Sequence, residues 1–392
     1  MRRGGRKIKQ YTSCVKKGKE NYMVSDAALP FYEMVQNRDH ELAALASAGK
    51  KLIGYFCTYA PVELIHASGF VPVRIMGDAG TIDKAYALTP DFICPYLRGA
   101  VEKALNGGYK HLRGVVQGYT CDAACGVANI WNENIGGDVF HILPLPYVDQ
   151  PASRSFLRAE LTGVAEKLGL AGGVYTHERL AASLDLYDKI RALMAEFYAL
   201  RYERKLPLSA ADFLCVVQAG FFTLPERYYT MLTDLKKALP QTFNAPKGIP
   251  VLISGSLIED PRVLRIVEES GGMVVADDLC TGLRNFIPTR GRGAEPMDRL
   301  IDRTMNRFPC PSRTSAEERL PRLLELMECS KARGVIFILQ KFCTPHLGDH
   351  PFLNAALQER RIPSLMIEIE ESGAQDGPMR TRLESFFEML EA

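Results

Sequence analysis

The apolar residues of this chain fall into short runs, and the runs recur in the same order twice. Lys51-Leu52-Ile53-Gly54-Tyr55-Phe56 predicts a buried strand. Pro61 to Gly69 follows it, with a proline placed to open a helix and a glycine to close it. Val71 to Ile75 predicts a second strand, so the segment reads as strand, helix, strand, whose usual outcome is a parallel sheet under covering helices. Near residue 250 the pattern returns. Pro250 to Ile253 predicts a strand, Pro261 to Glu269 a helix stopped by Ser270-Gly271-Gly272, and Met273 to Val275 the next strand. His111 to Val116 then precedes Cys121 in the first half, as Lys331 to Ile338 precedes Cys343 in the second. This shared order predicts an internally duplicated α/β unit, with a period too long for a solenoid.

Between the halves, roughly residues 153 to 239, no strand pattern occurs. Leu180, Leu184, Leu193, Met194 and Phe197 stand at helical spacing, and Ser209-Ala210-Ala211-Asp212 predicts a capped helix start. The expected organisation is a basic N-terminal tail with a leading helix over 1–50 and a first α/β domain over 51–152. A helical bridging segment over 153–246 and a second α/β domain over 247–392 complete it.

Composition narrows the class. A chain of 392 residues with 47% hydrophobic and 24% charged residues is long enough for two or three packed units. A net charge of +2 disfavours nucleic acid as the main partner. The basic residues Arg2, Arg3, Arg6, Lys7, Lys9, Lys16, Lys17 and Lys19 read as a solvated tail, and no apolar stretch follows them as in a secretory signal. No run nears the roughly 18 apolar residues of a membrane span. A cytoplasmic protein without membrane attachment is the expectation, and that bears on its ten cysteines. In a reducing compartment they are buried thiols or metal ligands rather than disulfides.

Position separates the cysteines. In open parallel sheets, functional groups collect where the chain leaves the carboxyl ends of strands. Cys94, Cys121 and Cys343 fall at such exits, and Cys57, Cys280 and Cys310 also sit at exits or turns. Cys14, Cys215 and Cys329 sit in the tail or in helical patterns, where packing explains them. Thiolates are soft ligands suited to iron–sulfur clusters or zinc, but no compact Cys-x-x-Cys run is present and Cys121-x-x-x-Cys125 alone says little. Two α/β units facing each other would bring Cys94 and Cys121 close to Cys343. His346, just beyond Cys343, is a candidate catalytic side chain, whereas His66 in the first helix reads as structural. Glu63 in that helix either orients a ligand or caps the helix. Phosphate-loop, dinucleotide, zinc-protease and nucleophile-elbow motifs are all missing, so the chain has no visible means of hydrolysing ATP itself. A duplicated α/β protein with a central cleft also suits a bilobal ligand-binding or sensory module, its cysteines packed or holding structural zinc.

Tyr59-Ala60-Pro61-Val62-Glu63-Leu64-Ile65-His66-Ala67-Ser68-Gly69 resembles a segment of the 2-hydroxyacyl-CoA dehydratase and benzoyl-CoA reductase superfamily. Ile93-Cys94-Pro95-Tyr96, Thr120-Cys121-Asp122, Asp277 to Gly282, Lys341-Phe342-Cys343 and Met379 to Glu388 are similar to its later landmarks, in order. The resemblance implies two flavodoxin-like parallel-sheet domains and a helical segment. It implies a 4Fe–4S cluster on Cys94, Cys121 and Cys343, an acyl-CoA substrate, and a related second subunit or a second copy as partner. It further implies an ATP-hydrolysing iron–sulfur activator that delivers one low-potential electron. In the dehydratases that electron forms a ketyl radical on the thioester carbonyl; in the reductases it enters an acceptor such as benzoyl-CoA. The double-cubane branch of the superfamily holds an 8Fe–9S cluster and reduces small molecules. Cys57, Cys280 and Cys310 form a possible second ligand set of that kind, although Ser254-Gly255-Ser256 lacks a cysteine expected of some of that branch.

Overall fold

A computed structural model describes residues 25–77, 80–240, 243, 247–370 and 376–392. The basic run and Cys14 lie outside the described residues. Helices α1 (Leu29–Gln36) and α2 (Arg38–Ser47) lead into β1 (Lys51–Tyr55), α3 (Val62–Ala67), β2 (Phe70–Arg74), α4 (Pro95–Leu105), β3 (Leu112–Gly118), α5 (Asp122–Asn134) and β4 (Val139–Leu143). Four helices follow: α6 (Pro151–Leu170), α7 (His177–Tyr202), α8 (Ala210–Ala219) and α9 (Pro225–Ala238). The second α/β unit comprises β5 (Ile249–Gly255), α10 (Arg262–Glu269), β6 (Gly272–Asp278), α11 (Pro296–Met305), α12 (Ala316–Ser330), β7 (Gly334–Gln340), α13 (Thr344–Glu359) and β8 (Ser364–Ile369). Helix α14 (Asp376–Glu391) ends it.

Both sheets have four strands, all parallel, in the orders β2-β1-β3-β4 and β6-β5-β7-β8. The two orders are the same permutation, so the duplication expected from the repeated runs is present in the topology, and each sheet has flavodoxin-like winding. Strands β5, β6 and β7 are buried at every position, as aliphatic runs covered on both faces must be. Pro72 is accommodated in β2 because that strand is an outer one, paired among the described residues with β1 alone.

The hydrophobic pattern located six of the eight strands among the described residues, within a few residues at their ends. It did not predict β4 and β8. Both are outer strands with mixed exposure: only Val139 and Leu143 of β4, and Ile367 and Ile369 of β8, are buried. Their sequences therefore lack both the continuous apolar run of a central strand and a clean alternation.

In the bridging helices, Leu180, Leu184, Met194 and Phe197 of α7 are buried as their spacing predicts, with Leu193 only half-buried. Ser209 Oγ accepts from the Asp212 amide at 3.0 Å, capping α8, and α8 is buried along its whole length. One apolar core runs from the first sheet (Leu52, Val115) through Met194, Val216 and Leu232 to the second (Leu252, Val335). The helical segment thus joins the two sheets into one packed body. Cys215 is buried within it, but Cys329 is exposed on α12, contrary to the packing role expected of it. Among the described residues no helix is long and apolar enough to cross a membrane.

Gly114 shows how closely the first sheet is closed. Its φ is 142°, and a Cβ there would stand 1.9 Å from the Val139 carbonyl oxygen of β4. Gly114→Ala is expected to force β3 from β4 at a cost on the order of 3 kcal/mol. A urea unfolding midpoint equal to wild type would contradict that close approach.

Candidate metal centre

Parallel strands deliver all their carboxyl-end loops to one edge of a sheet, and the two edges here face one cavity of about 430 Å³. Cys57, Cys94 and Cys121 of the first unit and Cys280, Cys310 and Cys343 of the second all line it. The topology therefore places both expected cysteine sets, and His346, on the wall of the same cavity.

Cys94, Cys121 and Cys343 share a local setting. Each is the residue immediately before a helix, at the starts of α4, α5 and α13, with Pro95 in the first turn of α4 and Pro345 in that of α13. None of the three side chains caps its helix. A thiolate at a helix start is favoured by the positive end of the helix dipole, so three such starts concentrate favourable potential on one space. Cys57 is set by Gln117 at the end of β3, whose Oε1 accepts from the Phe56 and Cys57 amides at 2.9 and 3.1 Å. Gln340, at the end of β7, holds the matching loop of the second unit. Its Nε2 donates to the Leu257 carbonyl at 3.1 Å, and its amide donates to Ser256 Oγ at 3.0 Å. Cys280 is held by its amide to the Ser256 carbonyl at 2.7 Å, and its own carbonyl accepts from Arg74 Nη1 at 2.6 Å.

Behind the second-unit cysteines lies a buried polar network. Asp278 accepts from Arg284 Nε at 2.6 Å and from Arg319 Nη2 at 2.8 Å, with Ser254 Oγ donating at 3.0 Å. Arg319 also pairs with Asp349. Asp278 is deeply buried, but the two guanidinium groups hold its carboxyl below the ordinary value. Arg284 Nη1 in turn lies 3.3 Å from Cys280 Sγ and 3.1 Å from His346 Nε2. Burial, then the charges of Arg284 and Arg319, pulls His346 well below its usual value, so the imidazole is neutral. Because Arg284 can only donate, Nε2 is the acceptor and the proton sits on Nδ1. That Nδ1–H points at Cys343 Sγ, 3.4 Å away. The chain Cys280–Arg284–His346–Cys343 thus presents donors to two sulfurs of the cavity.

The donor set consists of soft sulfur ligands. Burial, with the neighbouring thiols adding to it, pushes Cys121 and Cys310 up to about 12 and Cys343 up to about 11. Several thiolates coexist in such a space only with compensating positive charge among them. Among the described residues, no three His, Cys, Asp or Glu side chains gather as the ligands of one metal ion. Thiolates around one zinc, at bonds of about 2.3 Å, would crowd within about 4 Å of one another. Soft sulfur ligands lining one cavity are of the kind that iron–sulfur clusters take.

The remaining candidates lie elsewhere. Glu63 is fully buried on α3, ion-paired with Arg191 of α7 and 3.6 Å from Arg303 Nε; it is not part of the cavity wall. His66 bonds Ser183 Oγ at 2.9 Å and Glu226 at 3.1 Å, pinning α3 to α7 and α9 as a structural residue.

A family model described as 2-hydroxyglutaryl-CoA dehydratase, D-component, matches residues 57–390, a span that includes all six cavity cysteines. The chain belongs to this D-component family. It is 26% identical over 367 residues to the (R)-phenyllactyl-CoA dehydratase beta subunit of Clostridium sporogenes, covering 92% of this chain and 97% of the relative. It is 27% identical over 359 residues to a subunit of the benzoyl-CoA reductase of Thauera aromatica, covering 88% and 92%. To the beta subunit of the (R)-2-hydroxyglutaryl-CoA dehydratase of Acidaminococcus fermentans it is 25% identical over 371 residues, covering 89% and 95%.

Gln117, Gln340, Arg284 and Arg319 escape a reading of the sequence. The only signal for the glutamines is a polar residue ending an apolar strand, and nothing local marks the arginines.

Asp278→Asn leaves two buried guanidinium groups poorly compensated and is expected to cost on the order of 3 kcal/mol at neutral pH. Asp278 is lowered in the fold, so its contribution is present above the unfolded carboxylate value of about 3.9 and is lost as pH falls through its lower folded value. Urea midpoints of the two proteins should therefore converge below about pH 4. An unchanged gap across that range would remove Asp278 from this role.

Proposed function

We propose that this chain is an iron–sulfur enzyme subunit acting on an acyl-CoA thioester, by dehydrating a 2-hydroxyacyl-CoA or by reducing an acyl-CoA such as benzoyl-CoA. The observation that carries this reading is the convergence of six cysteines from both sheets on one cavity, three of them at helix starts. The relatives, named as subunits of acyl-CoA dehydratases and of benzoyl-CoA reductase, supply the substrate class.

Cys94, Cys121 and Cys343 would hold a 4Fe–4S cluster, which when bound supplies single low-potential electrons. His346 donates through Nδ1–H to Cys343 sulfur and Arg284 to Cys280 sulfur, contacts that orient the thiolates and stabilise negative charge on them. A cavity of about 430 Å³ lies within the range of small-molecule sites, leaving room beside the sulfurs for the reacting end of a substrate. The chain has no phosphate loop, so the electron is assigned to a separate ATP-hydrolysing iron–sulfur activator. The relatives' naming as subunits supports a related second subunit or a second copy of this chain as partner. A reducing, cytoplasmic setting suits free thiols of this kind.

A second reading rests on a specific observation: Cys57, Cys280 and Cys310 line the same cavity as the first three. Six thiols suit the 8Fe–9S double cubane of the reductases that act on small molecules. Iron and acid-labile sulfide in protein purified without oxygen separate the readings. About four irons per chain are expected for one cubane and about eight for the double cubane. Folded, colourless protein without iron would overturn both. Cys94→Ala is expected to abolish the visible absorbance and turnover, and wild-type turnover in that variant would remove Cys94 from the ligand set.

A further inference from the structure

A second, smaller pocket lies beside the cysteine cavity, enclosed by α3, α7, α9 and α11, with a volume of about 60 Å³. The two share a wall. Tyr55 and Thr58 line the small pocket, while Phe56 and Cys57 between them line the cysteine cavity. Three arginines converge on the small pocket: Arg191 of α7, Arg303 of α11 and Arg307 just beyond it. Arg191 and Arg303 are each only 2% exposed.

Their negative partners are too few. Glu63 serves Arg191 and lies 3.6 Å from Arg303 Nε. Asp188 lies 3.1 Å from Arg191 Nη1, but it is shared with Arg299 at 2.7 Å and Arg290 at 3.6 Å. Among the described residues no carboxylate pairs with Arg307, which stacks its guanidinium 5.3 Å from the Tyr59 ring centre. Donors are left over, and so is one acceptor, Glu63 Oε2. Arg303 Nη2 donates to the Asn285 carbonyl at 2.9 Å, but Arg303 Nη1 and Arg307 Nε are buried without a hydrogen-bond partner. Burial lowers the proton affinity of all three guanidinium groups, and in Arg191 and Arg303 the charge of neighbouring arginines lowers it further.

We propose that this pocket is a binding site for a small carboxylate, held by Arg191, Arg303 and Arg307. The planar fork of a guanidinium matches a carboxylate, and a bound anion completes the charge balance that Glu63 and Asp188 leave unfinished. Size favours a carboxylate over a phosphate. The volume admits about four water-sized groups, enough for a carboxylate and the carbon next to it, so the remainder of a longer acid lies outside the pocket. Val62, Ile190, Val217 and Phe221 add apolar surface to the lining, which suits a short hydrocarbon stem. The carboxylate comes either from a free acid or from the far end of an acyl group whose thioester occupies the cysteine cavity. The site itself needs only the arginines and stands whether or not the acyl-CoA reading does.

Calorimetric titration of full-length protein purified without oxygen tests it. Acetate and glutarate are expected to bind wild type, with acetamide giving no signal. Arg307→Gln, at a partly exposed position, should weaken both acids by about tenfold or more while the unfolding midpoint stays near wild type. Arg303→Lys gives a second, charge-preserving variant that loses the fork and should weaken binding too. Tighter binding of glutaryl-CoA than of glutarate or butyryl-CoA, abolished by Arg307→Gln, assigns the carboxylate to an acyl group. Glutaryl-CoA binding no tighter than butyryl-CoA, with acetate and glutarate still bound through Arg307, assigns it to a free acid. No binding of either acid by wild type, equal binding by Arg307→Gln, or a response to acetamide as large as that to acetate would overturn the site.

Discussion

Strand direction is the constraint on which the rest of this molecule depends. Because every strand of a parallel sheet points the same way, all of its carboxyl-end loops share one edge, and two sheets of the same winding have two such edges. Facing them across a single cavity brings together residues as distant along the chain as Cys57 and Cys343. The core through α7, α8 and α9 keeps that placement, since it packs against both sheets without a break. The cysteine-lined wall is made from six separate loops, each of which begins or ends on a strand or helix.

The duplication extends from topology to single side chains. Gln117 and Gln340 end equivalent strands and hold equivalent loops, each satisfying backbone groups that would otherwise be buried without partners. The two units then diverge in charge. The second carries the Asp278–Arg284–Arg319 network and His346, so its sulfurs face hydrogen-bond donors. The first contributes cysteines at the starts of α4 and α5, where helix dipoles play that part. Cys343 combines the two, standing at the start of α13 and 3.4 Å from His346 Nδ1.

Positive charge continues past the cavity. Arg74 anchors the Cys280 loop, and beyond the segment Tyr55–Thr58 stand Arg191, Arg303 and Arg307. Glu63 belongs to that second region. A carboxylate in the helix after the first strand fits ligand orientation and helix capping equally well in sequence. In the fold it is committed to Arg191, a residue 128 positions away.

Read by itself, the sequence determined the α/β class, the duplicated order, the central strands and the helical segment between them. These follow from local hydrophobic period and from proline and glycine stops, which act within a few residues. It also marked Cys94, Cys121 and Cys343, because a cysteine at a strand exit is a local feature, and a family resemblance grouped them. Tertiary structure alone decided what depends on residues far apart. It placed Cys57, Cys280 and Cys310 on the same wall as the first three, gave His346 its tautomer through Arg284, and turned Glu63 from site candidate to buried ion-pair partner. It also made strands of Val139–Leu143 and Ser364–Ile369, whose half-exposed positions lack a readable period until a neighbouring strand supplies their hydrogen bonds. Periodicity is written in nearest neighbours along the chain, whereas burial and charge pairing are set by neighbours in space.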